Sequence, residues 1–201
     1  MIAGRKEEPM AQERIHVLGI VGSPRRGGNT DHLVEAVLEG AREAGATTEK
    51  VFLADLQIAP CSGCDACETT GECIYDDDMD GLFRKMERSE VWVLGTPVYW
   101  WGPSAQFKTF VDRWYAKVFR PEDKALFEGR RVVLVIPMGD EDPATARHTV
   151  GMMQDALDYV KAVLFGTLLA PGMNERAEVL EHPEFLEAAR RAGREAVQGH
   201  S

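Results

Sequence analysis

Short apolar runs alternate with amphipathic stretches along this 201-residue chain, and that alternation constrains the fold more than any single motif. A buried run followed by a segment of 3.6-residue periodicity, repeated several times, is the signature of βαβ units and a parallel sheet. Residues 15–21 (IHVLGIV) form the first such run. Leu33, Val34, Val37, Leu38 and Ala41 then recur at helical spacing, from a start near Asn29 and Thr30 to a stop at Gly45. Residues 50–53 read as a second, shorter strand at an edge, 91–94 (VWVL) as a third and 131–136 (RVVLVI) as a fourth; a fifth falls within 162–169. Between them, Asp78 is placed to cap a helix that turns Leu82, Phe83 and Met86 inward. Residues 104–115 form a helix gathering Phe107, Phe110, Val111 and Trp114, and further helices are expected over 144–160 and 183–197.

Five strands with interleaved helices predict an α/β, three-layer, doubly wound fold with a parallel sheet in the flavodoxin-like order 2-1-3-4-5. One such domain is expected over residues 15–201, behind a flexible N-terminal tail at 1–14. In sheets of this order the ligand lies beyond the carboxyl ends of the strands, where the winding reverses. The loops after Val21, Leu94 and Ile136 therefore carry the chemistry. A formal net charge of -10 repels phosphate backbones and argues against a nucleic-acid partner. No apolar stretch reaches transmembrane length and the first residues carry no apolar signal core, so no membrane partner is expected and a cytoplasmic location follows.

The first of these loops is GSPRRGGNT, residues 22–30. Free N–H groups at the start of the following helix favour a phosphate. Ser23, Asn29 and Thr30 add neutral donors, and Arg25 adds a charged one. The run lacks the dinucleotide G-x-G-x-x-G pattern and the G-K-[ST] ending of a nucleotide-binding P-loop. A plain βα turn capped by Asn29 or Thr30 is the competing reading. The second loop is TPVYWWGP, residues 96–103. Three adjacent aromatics cannot all enter the core from a loop, so at least one is left to wall a flat ring; alternatively Trp100 and Trp101 seal a helix–sheet or subunit contact. Lys108, Asp112 and Arg113 on the next helix read as a structural salt-bridge network, and no histidine falls in the three loops.

Taken together in this order, GSPRRGGNT and TPVYWWGPSAQFKTFVDR resemble the NAD(P)H-dependent FMN reductase family of flavodoxin-like proteins over residues 15–139. The resemblance implies that Ser23, Arg25, Asn29 and Thr30 hold the FMN phosphate. It also implies that Pro97, Val98, Tyr99 and Trp100 border the flavin, with Met138, Gly139 and Asp140 on the third side by position. It further implies NADH or NADPH as donor, a small-molecule or protein electron acceptor, and a homodimer or homotetramer. Hydride would reach flavin N5 with no proton-transfer residue, so no catalytic side chain is nominated.

Cys61, Cys64, Cys67 and Cys73 form C-x2-C-x2-C-x5-C in a loop over residues 60–75. Dense thiols in a reduced compartment point to a metal or cluster before disulfides. With the following Asp76, Asp77, Asp78 and Met79, the run resembles the iron–sulfur flavoproteins, which implies that the four cysteines ligate one 4Fe-4S cluster feeding electrons to FMN. Structural zinc or a disulfide are the alternatives. The expected function is therefore an FMN-dependent oxidoreductase of iron–sulfur flavoprotein type. A cluster-free NAD(P)H-dependent FMN or quinone reductase is the first alternative, and a non-enzymatic FMN-binding sensor or partner protein the second.

Overall fold

A computed structural model describes residues 14–199. The expected tail at 1–14 lies, all but its last residue, outside the described residues. Five strands, β1 (His16–Val21), β2 (Thr47–Phe52), β3 (Val91–Gly95), β4 (Arg131–Pro137) and β5 (Val163–Ala170), form one parallel sheet. Their order is 2-1-3-4-5, as the alternation of the sequence predicts. The helices are α1 (Asn29–Glu43), α2 (Ala66–Thr70), α3 (Met79–Glu87), α4 (Ala105–Asp112), α5 (Pro121–Lys124), α6 (Arg147–Val160) and α7 (Pro183–Gln198).

Successive strand residues point to opposite faces, and here both faces are apolar because both are covered. Val17, Val21, Val91, Val93, Val133 and Val135 pack with α1 and α7. Leu18, Ile20, Trp92, Leu94, Leu134 and Ile136 meet α3, α4 and α6. Trp92 is fully buried on this second side, its indole N–H donating to the Met86 carbonyl at 3.0 Å. The β4–β5 register slips once, between Val132 and Val133.

Several boundaries differ from expectation for identifiable reasons. β2 begins at Thr47, not 50, because Thr47 N–H already bonds the Ile15 carbonyl at 2.9 Å. Its polar TTEK start hides a strand that buries only Phe52, and Leu53 passes into a 3-10 turn. Asp78 does not cap α3 with its side chain; that carboxylate accepts from Gln57 N–H at 2.7 Å, and Asp77 Oδ1 takes the Met79 N–H at 3.0 Å. The helix expected over 104–115 is α4 followed by a tighter 3-10 stretch, Arg113–Lys117. Likewise α6 is preceded by a 3-10 turn at Pro143–Ala146. α2 and α5, of five and four residues, are too short to leave a periodic signal.

Candidate functional site

The carboxyl ends of β1 and β3 are drawn together at one rim. Gly22 N–H donates to the Gly95 carbonyl at 2.7 Å, and a Cβ at Gly22 would lie 2.8 Å from Phe107 Cβ, so only glycine fits that approach. Ser104, fully buried, joins the first two loops: its hydroxyl donates to the Gly22 carbonyl at 2.6 Å and accepts the Phe107 N–H at 3.3 Å, capping α4. Its own N–H bonds Thr96 Oγ1 at 3.0 Å.

The first loop then turns into α1. Ser23 Oγ accepts the Arg25 N–H at 3.2 Å, and Asp31 accepts the Gly27 N–H at 2.7 Å. Asp31 is itself held by Lys50 at 2.8 Å, and Lys50 also reaches Glu35 at 2.6 Å. Burial acts to lower the Lys50 pKa, but the hydrogen bonds it donates to Asp31 and Glu35 raise it above the ordinary lysine value, so the ammonium stays charged. Gly28, at the helix start, offers no side chain to cap it. The first-turn N–H groups, a helix dipole and two arginines, Arg25 and Arg176 (the latter from the segment after β5), thus border a common space. That arrangement fits a monophosphate.

The second loop closes on itself. Tyr99 N–H bonds the Gly102 carbonyl at 2.8 Å and Gly102 N–H returns to Tyr99 at 3.1 Å. Trp100 and Trp101 occupy the two central positions at φ +50° and +60°. Such turns normally take Asn or Gly there, and each bulky side chain costs about 1–3 kcal/mol of backbone strain. The strain aims Trp100 outward, 91% exposed, with Trp101 half-covered beside it at a ring separation of 6.0 Å. Of the three adjacent aromatics, none is buried.

The third side is the turn after β4. Val98 N–H bonds the Pro137 carbonyl at 3.2 Å and Met138 N–H the Ala170 carbonyl at 2.9 Å. Asp140 accepts from Asp142 N–H at 3.0 Å and Thr145 Oγ1 at 2.8 Å, and these bonds hold its carboxyl below the ordinary aspartate range.

Ser23, Arg25, Asn29 and Thr30 line one cleft together with Pro97, Val98, Tyr99 and Gly139. Trp100 stands outside it, in an adjoining recess with Trp101, Asp140 and Thr145. Val98, Met138 and Gly139 wall both, so the two form one trough. A fourth wall was absent from the sequence reading: the strap after β5, with Met173, Glu175 and Arg176. Asn29 fastens this strap. Its amide donates to the Glu175 carbonyl at 2.8 Å and accepts the Val179 N–H at 3.1 Å. Arg176 also donates to the Arg26 carbonyl. The signal that points to the strap is positional, since β5 also ends at this rim.

The cysteines lie elsewhere. Cys61, Cys64, Cys67 and Cys73 line a separate pocket with Tyr75, Arg113 and Tyr115, and no residue borders both this pocket and the trough. All four are free thiols. Burial, with the other three thiols near, pushes the Cys67 pKa upward. The loop's ends are clasped: Asp77 Oδ2 accepts the Ala59 N–H at 3.0 Å, and Gln57 and Asp78 pair through their backbones at 3.2 Å. Arg113 is not part of an α4 network. Lys108 and Asp112 pair with each other at the surface, whereas Arg113 turns inward onto Asp77. Among the described residues no three Cys, His, Asp or Glu side chains gather round one point as a single metal ion requires.

Residues 15–171 match the family described as NADPH-dependent FMN reductase. An iron–sulfur flavoprotein of Archaeoglobus fulgidus is 40% identical over 116 residues, 58% of this chain and 53% of that protein. One of Methanocaldococcus jannaschii is 45% identical over 97 residues, 48% of this chain and 50% of that protein. The matches thus span about half the length of these curated relatives. Among solved structures, an NAD(P)H:quinone oxidoreductase from Methanothermobacter marburgensis superposes with a TM-score of 0.72 at 23% identity, covering 91% of this chain and 96% of that one, a likeness of fold. With more than three quarters of its length inside the family match, the chain belongs to the NADPH-dependent FMN reductase family.

Proposed function

We propose that this chain is an FMN-dependent oxidoreductase that takes electrons from a reduced donor, NADH or NADPH among them, and delivers them to an acceptor. The reading rests on the convergence of the first, second and third rim loops on one trough beside an uncapped helix start. Bound FMN would supply hydride or single-electron exchange at its ring. The residues divide the remaining work. Arg25, the first-turn N–H groups of α1 and Arg176 would grip the phosphate. Ser23 holds the turn through the Arg25 N–H, Thr30 packs buried beneath the cradle, and Asn29 closes the strap over it. Pro97, Val98, Tyr99 and Gly139 would border the ring, leaving Trp100 and Trp101 at the outer recess where a second flat molecule has access.

The cysteine pocket supports the finer reading of an iron–sulfur flavoprotein. Four cysteines lining one pocket supply the donor set that a 4Fe-4S cubane takes, one thiolate per iron, and four thiolates on one zinc are the competing use. Cys61, Cys64, Cys67 and Cys73 would be its ligands. Anaerobic purification followed by flavin, iron and sulfide analysis tests both parts. One FMN and roughly four irons per chain are expected. Protein that takes up no FMN refutes the oxidoreductase reading; FMN without iron leaves a cluster-free NAD(P)H-dependent FMN or quinone reductase. That second reading has its own support, because the trough is complete without any residue of the cysteine loop. A homodimer or homotetramer is the proposed assembly.

A further inference from the structure

Arg113 is the most deeply buried cation described, its side chain 2% exposed, and it lies against the cysteine pocket. Each of its terminal nitrogens has a partner. Nη1 donates to Asp77 Oδ2 at 2.6 Å and to the Ala59 carbonyl at 2.9 Å, and Nη2 donates to Asp77 Oδ1 at 3.2 Å. Nε, by contrast, is buried and has no partner. An orphaned charged donor costs several kcal/mol unless something accepts from it. Arg113 lines the pocket with all four cysteines, whereas Asp77 does not, so the ion pair presents its positive end to the sulfurs. Arg113 is also the one cation among the described residues lining the pocket, where Asp65 and Asp112 supply negative charge. The guanidinium is charged despite its burial, because an arginine side chain does not lose its proton in a protein.

We propose that Arg113 is a potential-setting residue, the internal counter-cation of the cysteine pocket: its free Nε donates toward a cysteine sulfur and its charge raises the reduction potential of the iron–sulfur centre held there. The inference rests on the reading that the pocket takes a cluster. Reduction adds one electron, and one negative charge, to a centre already made anionic by four thiolates. A fixed cation at its wall favours that added charge, and hydrogen bonds to the sulfurs act in the same direction. No bond to the protein forms or breaks, and Arg113 keeps its proton throughout.

Three variants of the full chain test this after anaerobic reconstitution with iron and sulfide, in a dithionite titration followed by electron paramagnetic resonance. Arg113→Gln removes the cation, and the midpoint should fall. Arg113→Lys restores charge without the Nε donor and should lie between Gln and wild type. Asp77→Asn removes the neutralising carboxylate while keeping the guanidinium, and its midpoint should rise. A purely structural role would move Gln and Asn variants together, or neither. Wild type and Arg113→Gln sharing one midpoint overturns the inference. If Arg113→Gln fails to fold or to hold iron, the Asn variant decides: a fall or no change there overturns it equally. Wild-type protein without iron is the distinguishable failure, since the cluster reading is then lost and this inference with it.

Discussion

Asn29→Ala removes two hydrogen bonds that join the loop after β1 to the strap after β5, those to Glu175 and Val179. Each contributes about 1 kcal/mol net, so the loss is about 2 kcal/mol in the flavin-free protein. For a chain of this size, 1 kcal/mol moves the melting temperature by about 2–4 °C, which predicts a fall of about 4–8 °C. The same substitution frees Arg176 from the cleft. A charge-assisted bond contributes about 1.5–3 kcal/mol, so FMN affinity should drop roughly 10- to 150-fold. Arg176→Ala separates the two effects, because it takes away the cation and leaves both Asn29 bonds. It should show the affinity loss with the smaller fall in melting temperature, about 2–4 °C, that its single bond to the Arg26 carbonyl accounts for. Thermal melts with and without FMN, together with flavin fluorescence quenching for Kd, read both quantities. Unchanged affinity in Arg176→Ala would remove the strap from the site. An unchanged melt in Asn29→Ala would show that the strap is held by something else.

The strained turn gives a prediction of opposite sign: Trp101→Gly, at φ +60°, should raise stability by about 1 kcal/mol in urea unfolding while weakening turnover with flat acceptors. Gly40→Ala should destabilise by about 1–3 kcal/mol, because its Cβ would stand 1.9 Å from the Arg190 carbonyl oxygen where α1 and α7 cross. Acid should loosen the cysteine loop first. Burial alone would raise the Asp77 pKa, yet Arg113 and the N–H groups of Ala59 and Met79 pull it below the ordinary value. Its stabilisation is therefore full above about pH 4 and is lost as pH falls below that. Thiol-alkylation rates of the flavin-free protein, measured across this pH range for wild type and Asp77→Asn, check this: relative to a free thiol, wild-type reactivity should rise as pH falls below about 4, whereas the variant should be more reactive throughout and lack that step.

The sheet was legible because its central strands carry apolar residues on both faces; Val91, Trp92, Val93 and Leu94 have no other use for four consecutive buried side chains. β2 was blurred because an edge strand needs only Phe52 inside, and Thr47, Thr48 and Glu49 read as loop. Within the trough, the loop after β1 was legible because its polar donors sit next to one another in sequence. Arg176 was not, since nothing local marks it; its neighbour in space, Arg26, is 150 residues away. Arg113 was misplaced for a related reason. Asp112 adjoins it in the chain and Asp77 lies 36 residues back, so nearness in the chain favours the wrong carboxylate.

The clasp of Gln57, Ala59, Asp77 and Asp78 brings the two feet of the cysteine loop side by side, between one strand and the helix that follows. A segment anchored this way is a cassette: it can be shortened, exchanged or stripped of its thiols while the chain before and after keeps its path. The loop and the scaffold are thereby uncoupled. Changes of length or composition inside the loop should therefore leave the sheet and the three rim turns where they are.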